Sequence, residues 1–218
     1  MHTHYDFSVQ KYNRLKEMGF MPRSTLDIGA SDGSWSKVFG EVFNESEIFS
    51  IEGNPALEEK LKLNNPNYKI ALLGNVNKLK TFYINKDWDF CHGSSIYKES
   101  TEYYNNCKEV SLQMHRLDDL NVDNKQYDYI KIDVQGAELD IIHGGLKTVL
   151  DCSFLQLELG VLNFNHNAPL SSEIISYLYS LNFYIYDICS HFYWNERLNQ
   201  FDMIFINKQK CDSNYLKL

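Results

Sequence analysis

The feature that most constrains the fold of this chain is a regular alternation of short apolar segments with amphipathic stretches, which begins at residue 24. The apolar segments have the length and the branched and aromatic side chains of buried strands, and the stretches between them repeat apolar residues at helical spacing. We predict strands at 24–30, 47–52, 68–73, 127–134 and 154–159, and helices at 34–43, 55–63, 137–150 and 171–181. Strands that alternate with helices predict an α/β fold, in which a mostly parallel sheet is covered by helices on both faces as a three-layer sandwich.

Two regions depart from this alternation. Residues 1–20 repeat apolar side chains at helical spacing and predict a lead-in helix, and residues from about 76 to 115 predict an inserted hairpin and loop. The last two apolar segments, 183–189 and 201–207, are close in sequence and predict an antiparallel hairpin at one edge of the sheet. No internal repeat or linker divides the chain, so we expect one domain over residues 1–218.

Charge and cysteine content narrow the partners and the compartment. The net charge is −8, and the 21 Lys and Arg residues are scattered, so we do not expect nucleic acid as the substrate. Five cysteines form no CxxC pair, which indicates reduced thiols and no metal site. The sequence contains neither an apolar run of the ~18 residues that span a bilayer nor the pattern of a signal peptide. We therefore expect a cytoplasmic protein.

The first strand ends in a turn of small residues, Asp27-Ile28-Gly29-Ala30-Ser31-Asp32-Gly33. Glycines allow a sharp turn and a close approach of a ligand to the backbone. Their spacing is Gly-x-x-x-Gly, which disfavours the Gly-x-Gly-x-x-Gly site of a nucleotide-dependent oxidoreductase. With Asp32 inside the turn, the segment suits a cofactor that has a cationic sulfonium and an amino acid tail.

Two further acidic residues follow strands. Glu52 ends the second strand, where a carboxylate can accept hydrogen bonds from both hydroxyls of a ribose; a solvated strand end is the alternative. Asp133 ends a strongly apolar strand, and Glu138 lies in the first turn of the next helix, where the helix dipole alone would favour a carboxylate.

Four segments together resemble the FkbM family of methyltransferases: Leu26–Gly33, Glu52–Pro55, Leu117–Leu120 and Ile130–Glu138. The resemblance covers residues 24–160 and implies the class I methyltransferase (Rossmann-like) fold, with a seven-stranded sheet that includes an antiparallel edge strand. It also implies S-adenosyl-L-methionine as the cofactor and methylation of a hydroxyl on a sugar, a glycan or another small molecule. The family usually has Asn where Ser31 stands and Glu where Gln135 stands, and the second difference weakens any role of position 135 as a base.

The expected cofactor-binding residues are Asp27, Gly29, Ala30, Ser31, Asp32, Gly33, Trp35, Glu52, Gly53, Asn54, Gly74, Asn75, Ser95 and Asp133. Trp35 would flank the methionine moiety, although core packing is the more frequent role for such a ring. No metal ligand is expected.

A hydroxyl acceptor must lose its proton, and Asp133 is the first candidate for the base. Asp133 could instead orient the substrate or the cofactor. Glu158, near the end of the following strand, is a second candidate, with a structural ion pair or hydrogen bond as its alternative. Tyr97, Tyr103 and Tyr104 could form an aromatic wall for the acceptor.

Two other functions stay open at this stage. The same cofactor site would serve a methyltransferase that acts on nitrogen or on a macromolecule. The fold could also be kept as a non-catalytic binding module.

Overall fold

The computed structural model describes residues 4–85, 93–101, 107–120, 122, 126–211 and 215. The α-helices in these ranges are α1 (His4–Glu17), α2 (Ser34–Val42), α3 (Glu58–Asn64), α4 (Glu138–Gly144), α5 (Leu146–Leu150) and α6 (Ser171–Ser180). The strands are β1 (Ser24–Ile28), β2 (Glu47–Glu52), β3 (Tyr68–Ile70), β4 (Leu72–Leu73), β5 (Lys78–Ile84), β6 (Lys108–His115), β7 (Tyr129–Ile132), β8 (Phe154–Gly160), β9 (Phe183–Trp194) and β10 (Arg197–Asn207). None of the described helices is both long enough and apolar enough to cross a membrane.

The main sheet has seven strands in the order β3-β2-β1-β7-β8-β10-β9. The first five of these pair in parallel, and β10 is antiparallel to both β8 and β9. The mostly parallel sheet and the hairpin at one edge are thus confirmed. However, the antiparallel strand is not the edge strand that we expected: β10 lies one place inside the edge and β9 forms it. The physical reason is burial, because residues 202–207 of β10 are buried without alternation.

Alternation of side chains along β1 and β7 divides the interior into two cores. Leu26 and Ile130 face the core that α4, α5 and α6 cover. Tyr129 faces the other core, which α1 and α2 close. Asp27 and Lys131 are partners across β1 and β7, and they point toward this second core. The alternation therefore places a charged pair behind the turn that follows β1.

Two predicted elements are each divided in the structure. The predicted strand 68–73 breaks at Ala71: β3 joins the main sheet, and β4 joins a second sheet of order β4-β6-β5. β5 and β6 pair antiparallel, and both lie in the region where an inserted hairpin and loop are predicted. The predicted helix 137–150 is divided into α4 and α5 at Gly144 and Gly145, where a Cβ at Gly144 would lie 1.9 Å from the carbonyl oxygen of Gly74. Only glycine fits at 144, and the helix is interrupted at Gly145, whose backbone has φ −124° and ψ 29°.

Candidate active site

A cavity of about 510 Å³ opens at the carboxyl ends of the parallel strands, between the main sheet and the second sheet. Its volume lies within the range of roughly 300–1,000 Å³ that is usual for small-molecule sites. The order of the strands along the main sheet reverses between β1 and β7. Ligands of open α/β sheets bind beside such a point. Seven of the predicted site residues lie in the cavity wall: Gly29, Ser31, Glu52, Gly53, Ser95, Asp133 and Glu158.

The turn after β1 packs tightly against the end of β7. Gly29 has φ +75°, and a Cβ built there would lie 1.8 Å from the carbonyl oxygen of Asp133, so only glycine fits. Ser31 also has a positive φ, of 52°. The Ser31 Oγ is buried and has no hydrogen-bond partner within the described residues. The turn thus carries an unsatisfied polar atom in a residue of the cavity wall, which fits a polar ligand.

Glu52 connects the turn after β1 with the turn after β2. One carboxylate oxygen accepts a hydrogen bond from the Ser31 N–H at 2.8 Å, and the other accepts one from the Asn54 N–H at 2.7 Å. Burial raises the pKa of Glu52, and these two backbone hydrogen bonds partly offset that rise. Each oxygen has a second lone pair, so the carboxylate can still accept a hydrogen bond from a ligand.

A buried charge network lies directly behind this turn. Lys131 Nζ is 3.6 Å from Asp27 Oδ1 and 3.3 Å from Asp133 Oδ2, and 5.4 Å from the centre of the Trp35 ring. Burial lowers the pKa of Lys131, but the two carboxylates outweigh burial and raise that pKa above its usual value. Asp27 Oδ2 also accepts a hydrogen bond from Ser36 Oγ at 2.6 Å. This network supports the turn from inside the core.

Several predicted cofactor contacts do not lie in the cavity wall. Asp27 belongs to the buried network, and Trp35 stacks on Phe39 in the second core, with its Nε1–H donating to Tyr12. The remaining ones are Ala30, Asp32, Gly33, Asn54, Gly74 and Asn75. Asp32 and Asn54 accept backbone hydrogen bonds within their own turns, and Asn75 donates to Asp140 at 2.6 Å. These contacts account for Asp32 and Asn75, whereas the buried Nδ2 of Asn54 has no hydrogen-bond partner within the described residues.

The two candidate catalytic carboxyl groups are joined by one amide. Gln135 has φ +57°, and its side-chain NH₂ donates to Asp133 at 3.0 Å and to Glu158. The side chain of Gln200 donates to the other oxygen of Glu158. Three elements, the β7–α4 turn, β8 and β10, therefore converge on this pair.

The surroundings shift the pKa values of Asp133 and Glu158 in opposite directions. Burial alone would raise the pKa of Asp133, but the Lys131 ammonium and the Gln135 amide outweigh it, so that pKa lies below its usual value. Burial and the neighbouring Asp133 and Asp202 carboxylates raise the pKa of Glu158 well above its usual value. Asp133 is therefore the ionised member of the pair and Glu158 the one that retains a proton to higher pH.

Glu138 closes the turn between β7 and α4 rather than facing the cavity. It is 2% exposed, and one of its oxygens accepts hydrogen bonds from the N–H groups of Val134 at 3.0 Å and Gly136 at 3.2 Å. Burial raises the pKa of Glu138 to about 7 despite these hydrogen bonds. Its contacts favour the structural interpretation.

The half of the cavity away from Glu52 contains residues that sequence reasoning missed: Phe164, Asn165, Phe192, Trp194, Asn199, Gln200 and Asp202. They belong to the loop after β8 and to the β9–β10 hairpin, and only the strand order brings them to Asp133. Of the tyrosines expected there, Tyr97 donates its hydroxyl to Asp140 at 2.6 Å and does not line the cavity. Tyr103 and Tyr104 lie outside the described residues.

Comparison with known proteins identifies the family. The sequence model of the Methyltransferase FkbM domain matches residues 27–185. The 2-O-methyltransferase NoeI of Sinorhizobium fredii (strain NBRC 101917 / NGR234) is 26% identical over 157 residues. That alignment covers 61% of this chain and 61% of NoeI, less than two thirds of the relative's length.

Solved structures share the fold at low sequence identity. The magnesium protoporphyrin IX methyltransferase ChlM of Synechocystis PCC 6803, solved with bound S-adenosylmethionine, matches with a TM-score of 0.56 at 9% identity. The match covers 94% of this chain and 78% of ChlM. Protein PH1948 of Pyrococcus horikoshii matches with a TM-score of 0.52 at 9% identity, over 93% of this chain and 81% of its own. The fold is thus that of class I methyltransferases, and the chain belongs to the FkbM methyltransferase domain family.

Proposed function

We propose that this protein is an S-adenosylmethionine-dependent O-methyltransferase that acts on a hydroxyl of a sugar, a glycan or another small molecule. One observation carries the proposal: a single cavity brings together the Gly29–Ser31 turn, the Glu52 carboxylate and the ionised Asp133 carboxylate. The family match and the 2-O-methyltransferase name of NoeI support it.

The half of the cavity that contains Ser31, Glu52 and Asp133 fits S-adenosylmethionine. Glu52 would accept hydrogen bonds from the ribose hydroxyls while it keeps its two backbone contacts. The buried Ser31 Oγ would gain the polar partner that it lacks among the described residues. The bound cofactor supplies a methyl group on a cationic sulfonium. Its sulfonium suits the neighbourhood of Asp133, which Lys131 holds ionised.

In a methyl transfer, the acceptor oxygen gains the methyl carbon while the bond from that carbon to sulfur breaks and leaves a neutral thioether. Asp133 would accept the proton that the acceptor hydroxyl loses. Its carboxylate is fixed from two sides, by the Lys131 ammonium at 3.3 Å and by the Gln135 amide at 3.0 Å. Glu158, held by Gln135 and Gln200, would remain protonated and donate a hydrogen bond to the acceptor. The residues thus position the acceptor and take its proton, and positioning is the larger part of catalysis in a displacement of this kind.

The same proposal concerns partners and compartment. The size of the cavity suits a small acceptor or one sugar unit of a glycan. The proposed reaction involves neither a nucleic acid substrate nor a resident metal. We propose a cytoplasmic compartment, in which thiols stay reduced; Cys107, Cys152 and Cys189 form no disulfide among the described residues.

A transfer assay with a labelled methyl group tests the proposal. Purified protein would be incubated with S-adenosylmethionine and a panel of neutral sugars and small alcohols, and labelled product would be counted. We expect Asp133→Asn to lower turnover by about 100-fold or more, because a general base contributes about that factor. The affinity for S-adenosylhomocysteine should change much less. The control Asp151→Asn removes a carboxylate that is 47% exposed and should leave turnover unchanged.

Two outcomes would contradict the proposal. Turnover by Asp133→Asn equal to that of the wild type would remove Asp133 as the base. Transfer of the label to amines but not to hydroxyls would instead support an N-methyltransferase.

A further inference from the structure

The acceptor half of the cavity is a row of side chains that crosses three strands. Phe192 and Trp194 are two residues apart on β9, so they share one face of the strand. Gln200 is the partner of Phe192 across the β9–β10 hairpin. One step further into the sheet, Asp202 is the partner of Glu158 on β8. The row therefore leads from the rings at the hairpin tip to the candidate catalytic pair.

Backbone hydrogen bonds fix this wall in place. The Ser100 N–H of the insert donates to the Phe164 carbonyl at 2.7 Å, and the His166 N–H donates to the Lys98 carbonyl at 2.9 Å. The rings of Phe164 and Trp194 meet edge to face, with centroids 6.3 Å apart. The insert, the loop after β8 and the hairpin thus form one continuous wall around the aromatic rings.

The two aromatic rings near the tip of the β9–β10 hairpin, those of Phe192 and Trp194, are partly exposed to solvent. Phe192 is 44% exposed and Trp194 is 36% exposed, and both line the cavity. Exposed aromatic faces beside polar groups provide a platform on which the apolar C–H face of a saccharide ring can pack. Residues 192–202 also lie beyond residue 185, where the family match ends. This platform is therefore separate from the segments that carry the resemblance to the family.

The charge of the wall is one-sided. Its acidic members are Glu52, Glu99, Asp133, Glu158 and Asp202, and no Lys, Arg or His is found among the described lining residues. A phosphate, sulfate or carboxylate on the acceptor would meet the ionised members of this group in a partly desolvated space, where the nearest cation, Lys131, is buried and already paired with Asp133. Neutral hydroxyls and protonated amines meet no such repulsion.

We propose that the tip of the β9–β10 hairpin selects the acceptor, and that it admits an uncharged or amine-bearing saccharide ring and rejects an anionic one. The acceptor ring stacks on Phe192 and Trp194, and the acidic residues of the cavity wall set the charge selection. This inference rests on the proposed function, because it assigns the second half of the same cavity.

Calorimetry at pH 6.5 with S-adenosylhomocysteine already bound would test this selection. The probes are three trisaccharides of equal length, made of glucosamine, glucose or galacturonic acid units, which differ in charge. We expect the cationic and neutral probes to bind and the anionic probe to bind at least about tenfold more weakly. Glu99→Gln, which removes one carboxylate from the wall, should narrow that difference.

Matched variants test the platform. Trp194→Ala and Phe192→Ala should each weaken binding of the neutral probe by about tenfold and leave the affinity for S-adenosylhomocysteine unchanged. Tyr193→Ala is the control, because Tyr193 is 55% exposed on the opposite face of the same strand. An unchanged affinity for S-adenosylhomocysteine also shows that each variant is folded.

Three results would overturn this inference while leaving the proposed function intact. They are anionic binding as tight as neutral binding, an equal loss in Tyr193→Ala and Trp194→Ala, and binding of none of the three probes by protein that holds S-adenosylhomocysteine. Failure to bind S-adenosylhomocysteine would instead contradict the proposed function itself.

Discussion

Replacing Lys131 by methionine probes the buried network behind the cofactor turn. The Lys131 side chain is 7% exposed, and that of its partner Asp27 is fully buried. Asp27 Oδ1 accepts no hydrogen bond from any described residue, so the ammonium 3.6 Å away is the main offset to the burial of this carboxylate, and the hydrogen bond from Ser36 to Oδ2 is a smaller one. Asp133 is 30% exposed and keeps its hydrogen bond from Gln135, so its charge stays partly compensated. The loss should therefore come mainly from Asp27.

Removing one partner of a buried ion pair costs about 3–5 kcal/mol, because the other charge stays buried without compensation. For a chain of this size, that loss corresponds to a drop of roughly 6–20 °C in Tm. The loss should shrink as the pH falls. Burial already raises the pKa of Asp27, and without Lys131 that pKa rises further, so acid neutralises the stranded carboxylate in the folded variant.

Urea unfolding at several pH values would measure the loss. The control is Lys210→Met, which breaks a surface pair whose side chains are 35% and 47% exposed and should cost less than about 1 kcal/mol. Adding Asp27→Asn to Lys131→Met should recover much of the stability. A loss in Lys131→Met as small as in the control, or one that does not depend on pH, would refute this account of the network.

Three further substitutions address the cavity and its neighbouring turn. Gly29→Ala should abolish S-adenosylhomocysteine binding measured by calorimetry, since its Cβ would lie 1.8 Å from the Asp133 carbonyl oxygen; retained affinity would contradict that packing. The free energy of unfolding in urea would be compared between the wild type and Glu138→Gln from pH 4.5 to about 7. Over this range the wild type should lose up to about 3 kcal/mol relative to the variant, because Glu138 keeps its proton to higher pH in the folded protein than in the unfolded chain. Parallel curves of stability against pH would contradict this. Gln135→Glu puts a third carboxyl beside Asp133 and Glu158, so the rising limb of kcat/KM should move to higher pH by about one unit, and an unmoved limb would contradict the coupling.

Local sequence was sufficient to predict the turn after β1, Glu52 at the end of β2 and Asp133 at the end of β7. Each of these depends on residues that are adjacent in the chain, on glycines in the turn or on the carboxyl end of an apolar strand. The parity of β1 also carries information, because Leu26 faces the core under α4–α6 and the next residue, Asp27, must point the other way. Strand parity thus explains why Asp27 lies behind the turn.

The remaining features depend on contacts between distant segments. Trp35 packs in the second core because α1 brings Tyr12 to it. Position 144 must be glycine because Gly74, which lies 70 residues away in the chain, approaches it closely. The aromatic platform needs the order β8-β10-β9, which brings Trp194 to the cavity. No local pattern encodes these contacts.

Calorimetric titration of the purified protein with S-adenosylhomocysteine tests the central claim most directly. We expect one site per chain, with a Kd of roughly 1 μM to 1 mM, which is the range of KM values usual for enzyme substrates. Glu52→Gln should weaken binding by about 10- to 150-fold, since it removes a charge-assisted hydrogen bond worth about 1.5–3 kcal/mol, whereas the exposed control Glu59→Gln should bind as the wild type does. No heat of binding in the wild-type protein, or equal affinity in Glu52→Gln, would contradict the assignment of this cavity to the methyl donor.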